Sequence, residues 1–80
     1  MLVTGSQLKA ARALAQVDQK TLAAEAGVNV NTIRGMESRR GQTLTSGLDT
    51  IGKVQGALEK RGVEFLNHNE PGVRLKRPAG

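Results

Sequence analysis

The stretch DQKTLAAEAGVNVNTIRGMES, residues 18–38, contains the main signals for the fold. Asp18 is a favoured N-cap residue for a short helix over QKTLAAEA, and Gly27 is the residue type that most readily takes the left-handed conformation ending a helix. Asn29 caps a second helix, which continues to about residue 37 and turns Ile33 inward. The stretch therefore predicts two short helices joined by a tight glycine turn, a helix-turn-helix arrangement.

Two further helices flank this pair. Thr4 and Gln7 have the spacing of a capping box, which predicts the start of a first helix. Its apolar positions follow the helical period: Leu8, Ala11, Leu14 and Ala15. A polar loop over about residues 39–43 leads to a last helix, which Gly62 ends. Its predicted apolar stripe consists of Leu44, Leu48, Ile51, Val54 and Leu58.

After Gly62 the apolar period changes from helical spacing to two. Val63 and Phe65 alternate with polar residues, as do Val73 and Leu75, and NHNEPG lies between these runs as a turn-rich connection. We therefore predict a mainly α protein with four helices and a C-terminal β-hairpin. Residues 1–62 would form the helical domain and 63–80 the hairpin and a frayed tail, within one compact unit.

Composition narrows the classes of partner and compartment. The chain has 80 residues, a net charge of +5 and no cysteine, which fits a reducing cytoplasm and favours an anionic partner. It has no long apolar run for a membrane span. Phe65 is its one aromatic residue, whereas readers of single strands usually stack bases on several rings. Double-stranded DNA is therefore the expected nucleic acid, and we expect no membrane partner.

The sequence carries no convincing catalytic or cofactor signal. GLDTIGKV, residues 47–54, resembles a phosphate-binding loop, but Val54 replaces the required hydroxyl and no strand precedes it. His68 is the single histidine, in a predicted turn without companion ligands. We expect no enzyme activity, no cofactor and no metal. Gly52 and Gly56 lie four residues apart on the last helix. They are either tolerated surface glycines or a place where another helix or a partner chain approaches closely.

Residues 5–58 resemble the lambda-repressor-like (Cro/C1, XRE-type) helix-turn-helix DNA-binding family. The resemblance rests on LKAARAL and on a spaced set within the opening stretch: Gln19, Ala23, Gly27-Val28, Thr32-Ile33 and Glu37. It implies a four-helix, lambda-repressor-like DNA-binding domain. It also implies that Arg12 and Glu37 form a structural pair, and that Gln19 grips a DNA phosphate. The hairpin replaces a further helix that better-known members often carry.

Within this helix-turn-helix arrangement, the second helix would enter the major groove with its N-terminus first. Helical geometry points Asn31, Gly35 and Ser38 away from Ile33, with Thr32 and Arg34 on the flanks. The candidate base contacts are Val30, Asn31, Thr32, Arg34 and Gly35. The candidate contacts to the DNA backbone are Gln19, Asn29, Ser38, Arg39 and Arg40. Gly35 has two interpretations: closer approach to the groove floor, or loss of a base contact.

These features predict a transcriptional repressor or activator that binds a palindromic operator as a homodimer. A lone hairpin is marginally stable, so its apolar side chains must pack on the helices or on a second copy. The predicted dimerisation residues are Val63, Phe65, Val73 and Leu75. The alternative function is a protein-interaction module on the same scaffold, such as an antitoxin or an antagonist of another regulator.

Overall fold

A computed structural model describes residues 1–66 and 71–76 of the chain. Its elements are α1 (Gly5–Ala15), α2 (Gln19–Ala26), α3 (Val30–Ser38), α4 (Leu48–Lys60), β1 (Val63–Leu66) and β2 (Gly72–Leu75). The predicted mainly α class with a hairpin is confirmed. The predicted turn around His68 and the tail from Arg77 lie outside the described residues. Within those described, no helix is long and apolar enough to cross a lipid bilayer.

The start of α1 is held by a buried glutamine. Thr4 and Gln7 form the predicted capping box, in which each side chain accepts a hydrogen bond from the other's backbone N–H. The Gln7 Oε1 also accepts from the Val3 N–H at 2.6 Å. Its Nε2 donates to the carbonyls of Met1 at 3.2 Å and Gly72 at 3.0 Å. Because all its polar atoms are paired, this amide can be buried while tying the amino terminus and β2 to α1.

The first residue of α1 abuts the end of α3. A Cβ atom placed on the buried Gly5 would lie only 2.8 Å from the Arg40 nitrogen and would also collide with the Met36 carbonyl. The Ser6 N–H donates to the Arg40 carbonyl at 2.7 Å. Glycine is therefore required here because two backbone segments touch, which brings α1 against the carboxyl end of α3.

One apolar core joins the helices to the hairpin. Its fully buried large side chains are Leu2, Leu8, Leu22, Ile33, Met36, Val54 and Leu58. They come from the N-terminal segment and from all four helices. α2 packs on α3 and α4, and α1 packs on α3. The surfaces of α3 that face these neighbours are consequently fixed, and its remaining surface faces outward.

The predicted apolar stripe of α4 is wrong at its amino end. Leu44 is buried, but it lies in the loop before the helix, where its N–H donates to the Val3 carbonyl at 2.8 Å. Leu48 is the first residue of α4 and is 74% exposed. The reason is tertiary: an isolated bridge between Thr4 and Thr43 holds the loop against the N-terminal segment. Leu44 therefore fills the core from the loop, and the helix begins later than predicted.

The hairpin packs on its own chain. β1 and β2 pair antiparallel, with Val63 opposite Leu75 and Phe65 opposite Val73, so these four share one face as predicted. Val63 is buried, and Phe65 and Val73 lie partly buried against the core. Leu75 remains 48% exposed. Most of the apolar face is therefore covered within the chain, and Leu75 carries its largest exposed part.

Candidate nucleic-acid interface

A tight corner sets the direction of α3 relative to α2. The carboxylate of Asp18 caps α2 by accepting from the Thr21 N–H at 2.6 Å. At the other end Gly27 has φ +72°, and the Val28 N–H donates to the Ala23 carbonyl at 3.0 Å. Left-handed glycine and this hydrogen bond close the helix and reverse the chain. Only three residues, 27–29, therefore separate the end of α2 from the start of α3.

Asn29, at the other end of this turn, is the N-cap of α3. The Asn29 side chain accepts from the Asn31 N–H at 2.8 Å, as the sequence predicts for an N-cap. Val28 and Val30 are half-buried and pack against the core. The predicted base contact by Val30 would therefore use only the part of the side chain that the core leaves open.

A three-residue network pins α3 to α1 and α2. The Arg12 guanidinium donates to both carboxylate oxygens of Glu37, at 2.6 and 2.9 Å. The Gln19 Nε2 donates to the same carboxylate at 3.2 Å. The hydrogen bonding to Glu37 is the largest cause that raises the pKa of Arg12 above its ordinary value. Since Glu37 is almost fully covered and Arg12 largely so, the pair ties helices together rather than sitting on the surface.

The polar residues of α3 that were predicted to contact bases do share an exposed surface. Asn31, Arg34 and Gly35 are exposed and Thr32 is half-buried beside them. The Arg34 Nη1 donates to the Asn31 Oδ1 at 3.2 Å. We call the surface formed by Asn31, Thr32, Arg34 and Gly35 the reading face. It carries amide and guanidinium groups, which are the usual partners of adenine and guanine edges.

The residues predicted to contact the DNA backbone differ in whether their polar groups already have partners within the chain. The Gln19 side-chain amide donates to Glu37, so one of its two N–H donors is already engaged. The Ser38 Oγ donates to the Gly35 carbonyl at 2.7 Å. The Arg39 guanidinium donates to the Thr43 carbonyl at 3.0 and 3.2 Å, which braces the following loop. Arg40 is exposed at the end of α3, so of the two adjacent arginines it has the side chain with greater freedom to meet a phosphate.

The structure adds residues that the sequence reasoning did not include. A concavity of about 270 Å³ lies beside the reading face. On its α3 side are Asn31, Thr32, Gly35, Met36 and Arg39, and on its loop side Leu44, Thr45 and Ser46. Gly47 is the N-cap of α4 and makes no side-chain capping hydrogen bond. The run TLTSG, a set of hydroxyls just before an apolar helix, is the signal that points to this loop.

The charged side chains exposed on α3 and lining the concavity are positive. Arg39 is the one charged residue among those lining the concavity, and Arg34 and Arg40 are exposed nearby. Glu37, the sole acidic residue of α3, is turned inward to Arg12. The exposed surface of α3 consequently offers hydrogen-bond donors and positive charge without a carboxylate, which suits an anionic ligand.

Comparison of the sequence with models of known protein families finds no match, and a search of curated proteins finds none either.

Proposed function

We propose that the protein is a sequence-specific double-stranded DNA-binding transcription regulator of the lambda-repressor-like, XRE-type helix-turn-helix kind. The observation that supports this most is the exposed reading face of α3, which the partly buried Arg12–Glu37 pair holds against α1. Precise positioning of a few polar side chains is what base recognition in the major groove needs. The sequence resemblance supports the same proposal.

In this proposal α3 enters the major groove with its amino end first. Asn31 makes the bidentate contact to adenine, and Arg34 reaches guanine or a neighbouring phosphate. Arg40 and the hydroxyls of Thr45 and Ser46 meet the DNA backbone beside the groove. Arg39 acts through the loop, because its guanidinium holds the Thr43 carbonyl.

We also propose that the regulator acts as a homodimer on a palindromic operator. Two-fold symmetry places two copies of α3 in successive major grooves, about 34–36 Å apart. Most of the hairpin's apolar face is covered within the chain, so the interface would use the exposed part of Leu75 and the neighbouring edge of Phe65.

The decisive experiment is selection of bound duplexes from a random DNA library, followed by titration of the recovered sequence at several salt concentrations. We expect a palindromic site and a steep loss of affinity as salt rises. Asn31→Ala should weaken binding by about 1–3 kcal/mol and relax the preference at one base pair of each half-site. Arg40→Ala should weaken binding to all duplexes alike and reduce the salt slope by about 1.

Recovery of duplexes with no shared sequence would contradict the proposal. A stoichiometric protein partner in a pull-down, together with no operator, would instead favour the protein-interaction alternative: an antitoxin or an antagonist of another regulator. Substitution of Lys9, an exposed α1 residue outside the proposed interface, by Ala gives the matched control. It removes one positive charge, as Arg40→Ala does, and should leave both the operator affinity and its salt slope nearly unchanged.

A further inference from the structure

Gly35 is not required by the fold. A Cβ atom placed there would meet nothing within 4 Å, and the residue lies inside an α-helix rather than in a left-handed turn. The backbone explains the other two glycines, by contrast. Gly5 touches the backbone of α3 and the residues after it, and Gly27 has a positive φ. Glycine is also among the poorest residues for the interior of a helix. Its presence in the middle of α3 therefore has no explanation within the folded chain.

The space left by Gly35 is preformed. Residues three and four positions away on a helix are its surface neighbours, and three of them have hydrogen-bond partners within the chain. Asn31 accepts from Arg34, and Ser38 donates to the Gly35 carbonyl. Arg39 is drawn to the Thr43 carbonyl. The concavity of about 270 Å³ is therefore present in the folded chain by itself, and a preformed space reduces the ordering cost of binding.

The groups that line the concavity beside Gly35 match a sugar with its phosphate. Thr32, Thr45 and Ser46 provide hydroxyl donors and Arg39 is the one charged lining residue, so the lining groups favour an anion. The buried side chains of Met36 and Leu44 also line the concavity and offer a small apolar surface, which can contact the C–H face of a deoxyribose. Close approach of backbone to a ligand is a recurrent reason for glycine.

From these observations we infer that Gly35 determines DNA affinity by having no side chain. The notch formed by Gly35 with Thr32, Met36, Leu44 and Thr45 takes one deoxyribose phosphate of the bound strand. α3 then lies closer to the duplex than any side chain at position 35 would allow. This inference rests on the proposed function. It adds a role for Gly35, for which the sequence allowed either closer approach to the DNA or loss of a base contact.

The test compares Gly35→Ala and Gly35→Gln with Gly52→Ala as the matched control. Gly52 is also exposed inside a helix with nothing within 4 Å of a Cβ, but it lies on α4 away from the notch. Both alanine variants should melt at a higher temperature than the wild type, because alanine favours helix. The probe is the duplex that the wild-type protein selects, and the mass of each variant is measured by light scattering on the same samples.

We expect Gly35→Ala to bind this duplex about tenfold more weakly, roughly the loss of one good contact, and Gly35→Gln more weakly still. Gly52→Ala should stay within about twofold of the wild type. Hydroxyl-radical footprinting should lose protection at one sugar per half-site in both Gly35 variants. Unchanged affinity of Gly35→Ala, or tighter binding by Gly35→Gln, would overturn the inference while leaving the proposed function standing. Failure of the wild type to select any duplex would overturn both.

Discussion

Glu37 illustrates how a single residue can shape a surface from below. It belongs to α3, yet its carboxylate lies under that helix and receives hydrogen bonds from Arg12 and Gln19. Turning the one acidic group of α3 inward fixes the helix and leaves its exposed surface free of negative charge. A partly buried ion pair contributes little net stability, but removal of either partner leaves the other charge covered and without a partner. Its value here lies in orientation.

Gly5 is a second residue whose role depends on contacts between elements. The change Gly5→Ala would drive a Cβ atom into the backbone of Met36, Glu37 and Arg40, none of which can rotate away as a side chain could. We expect a loss of about 1–3 kcal/mol in the free energy of unfolding. Urea denaturation followed by far-UV circular dichroism measures it.

Gly41→Ala is the matched control for this prediction. Gly41 lies just beyond Arg40, where a Cβ atom would meet nothing within 4 Å. Its substitution should change the free energy of unfolding by no more than about 0.5 kcal/mol. Equal stability of the two variants would mean that α1 and α3 do not touch as described.

At the scale of elements, α2 depends on its amino-terminal cap. The Asp18 carboxylate accepts the Thr21 N–H, and this hydrogen bond is the largest cause holding the pKa of Asp18 below its ordinary value of 3.8. A carboxylate with a lowered folded-state pKa stabilises the fold above its ordinary pKa. That contribution is lost as pH falls through the folded-state value.

The pH dependence of stability should therefore differ between the wild type and Asp18→Asn. Asparagine keeps a capping oxygen but does not titrate. Melting temperatures measured from pH 7 to pH 3 should converge toward low pH, because only the wild type loses a charge-assisted cap there. Glu25, whose pKa is lowered by its hydrogen bond from Arg61, should still give both proteins some acid sensitivity. A constant difference between the two proteins across this range would contradict the assignment of Asp18 as a charged cap.

At the scale of the whole molecule, the hairpin packs against the N-terminal part of the chain and the helical core. β2 receives a hydrogen bond from Gln7 at its start, while Val63 of β1 enters the core and Phe65 and Val73 pack against it. A hairpin alone would be marginal in water, and this packing explains how it persists here. The half-exposed Leu75 then stands at the edge of the covered surface.

If the proposed homodimer uses this edge, Leu75→Glu should disrupt it. Desolvation of two carboxylates related by two-fold symmetry is unfavourable, so light scattering at micromolar concentration should give a mass near 8.5 kDa for the variant and about twice that for the wild type. Operator affinity should fall in parallel, because a monomer holds a single half-site. A monomeric wild type, with and without DNA, would contradict the homodimer.

Arg74→Ala controls for damage to the strand itself. Arg74 lies between Val73 and Leu75 but points to the other face, where it pairs with Glu64 at 2.8 Å. An exposed pair of this kind contributes about 0–1 kcal/mol. The variant should therefore keep the mass of the wild type, and circular dichroism should show that both variants remain folded.

The sequence by itself determined the local elements. Asp18, Gly27 and Asn29 act on their neighbours along the chain, so caps, the turn and the inward position of Ile33 could be predicted with good accuracy. The same holds for the alternating hairpin residues. The candidate reading face follows from helical geometry alone, since the side chains of α3 project at fixed angles.

Tertiary structure decided what depends on residues far apart in the chain. Gly5 touches the end of α3, Gln7 reaches β2, and Leu44 enters the core from a loop because that loop pairs with the N-terminal segment. The notch at Gly35 likewise needs both α3 and the loop before α4. No local pattern encodes these contacts, because their free energy comes from close packing and hydrogen bonds between segments that meet only in the folded chain.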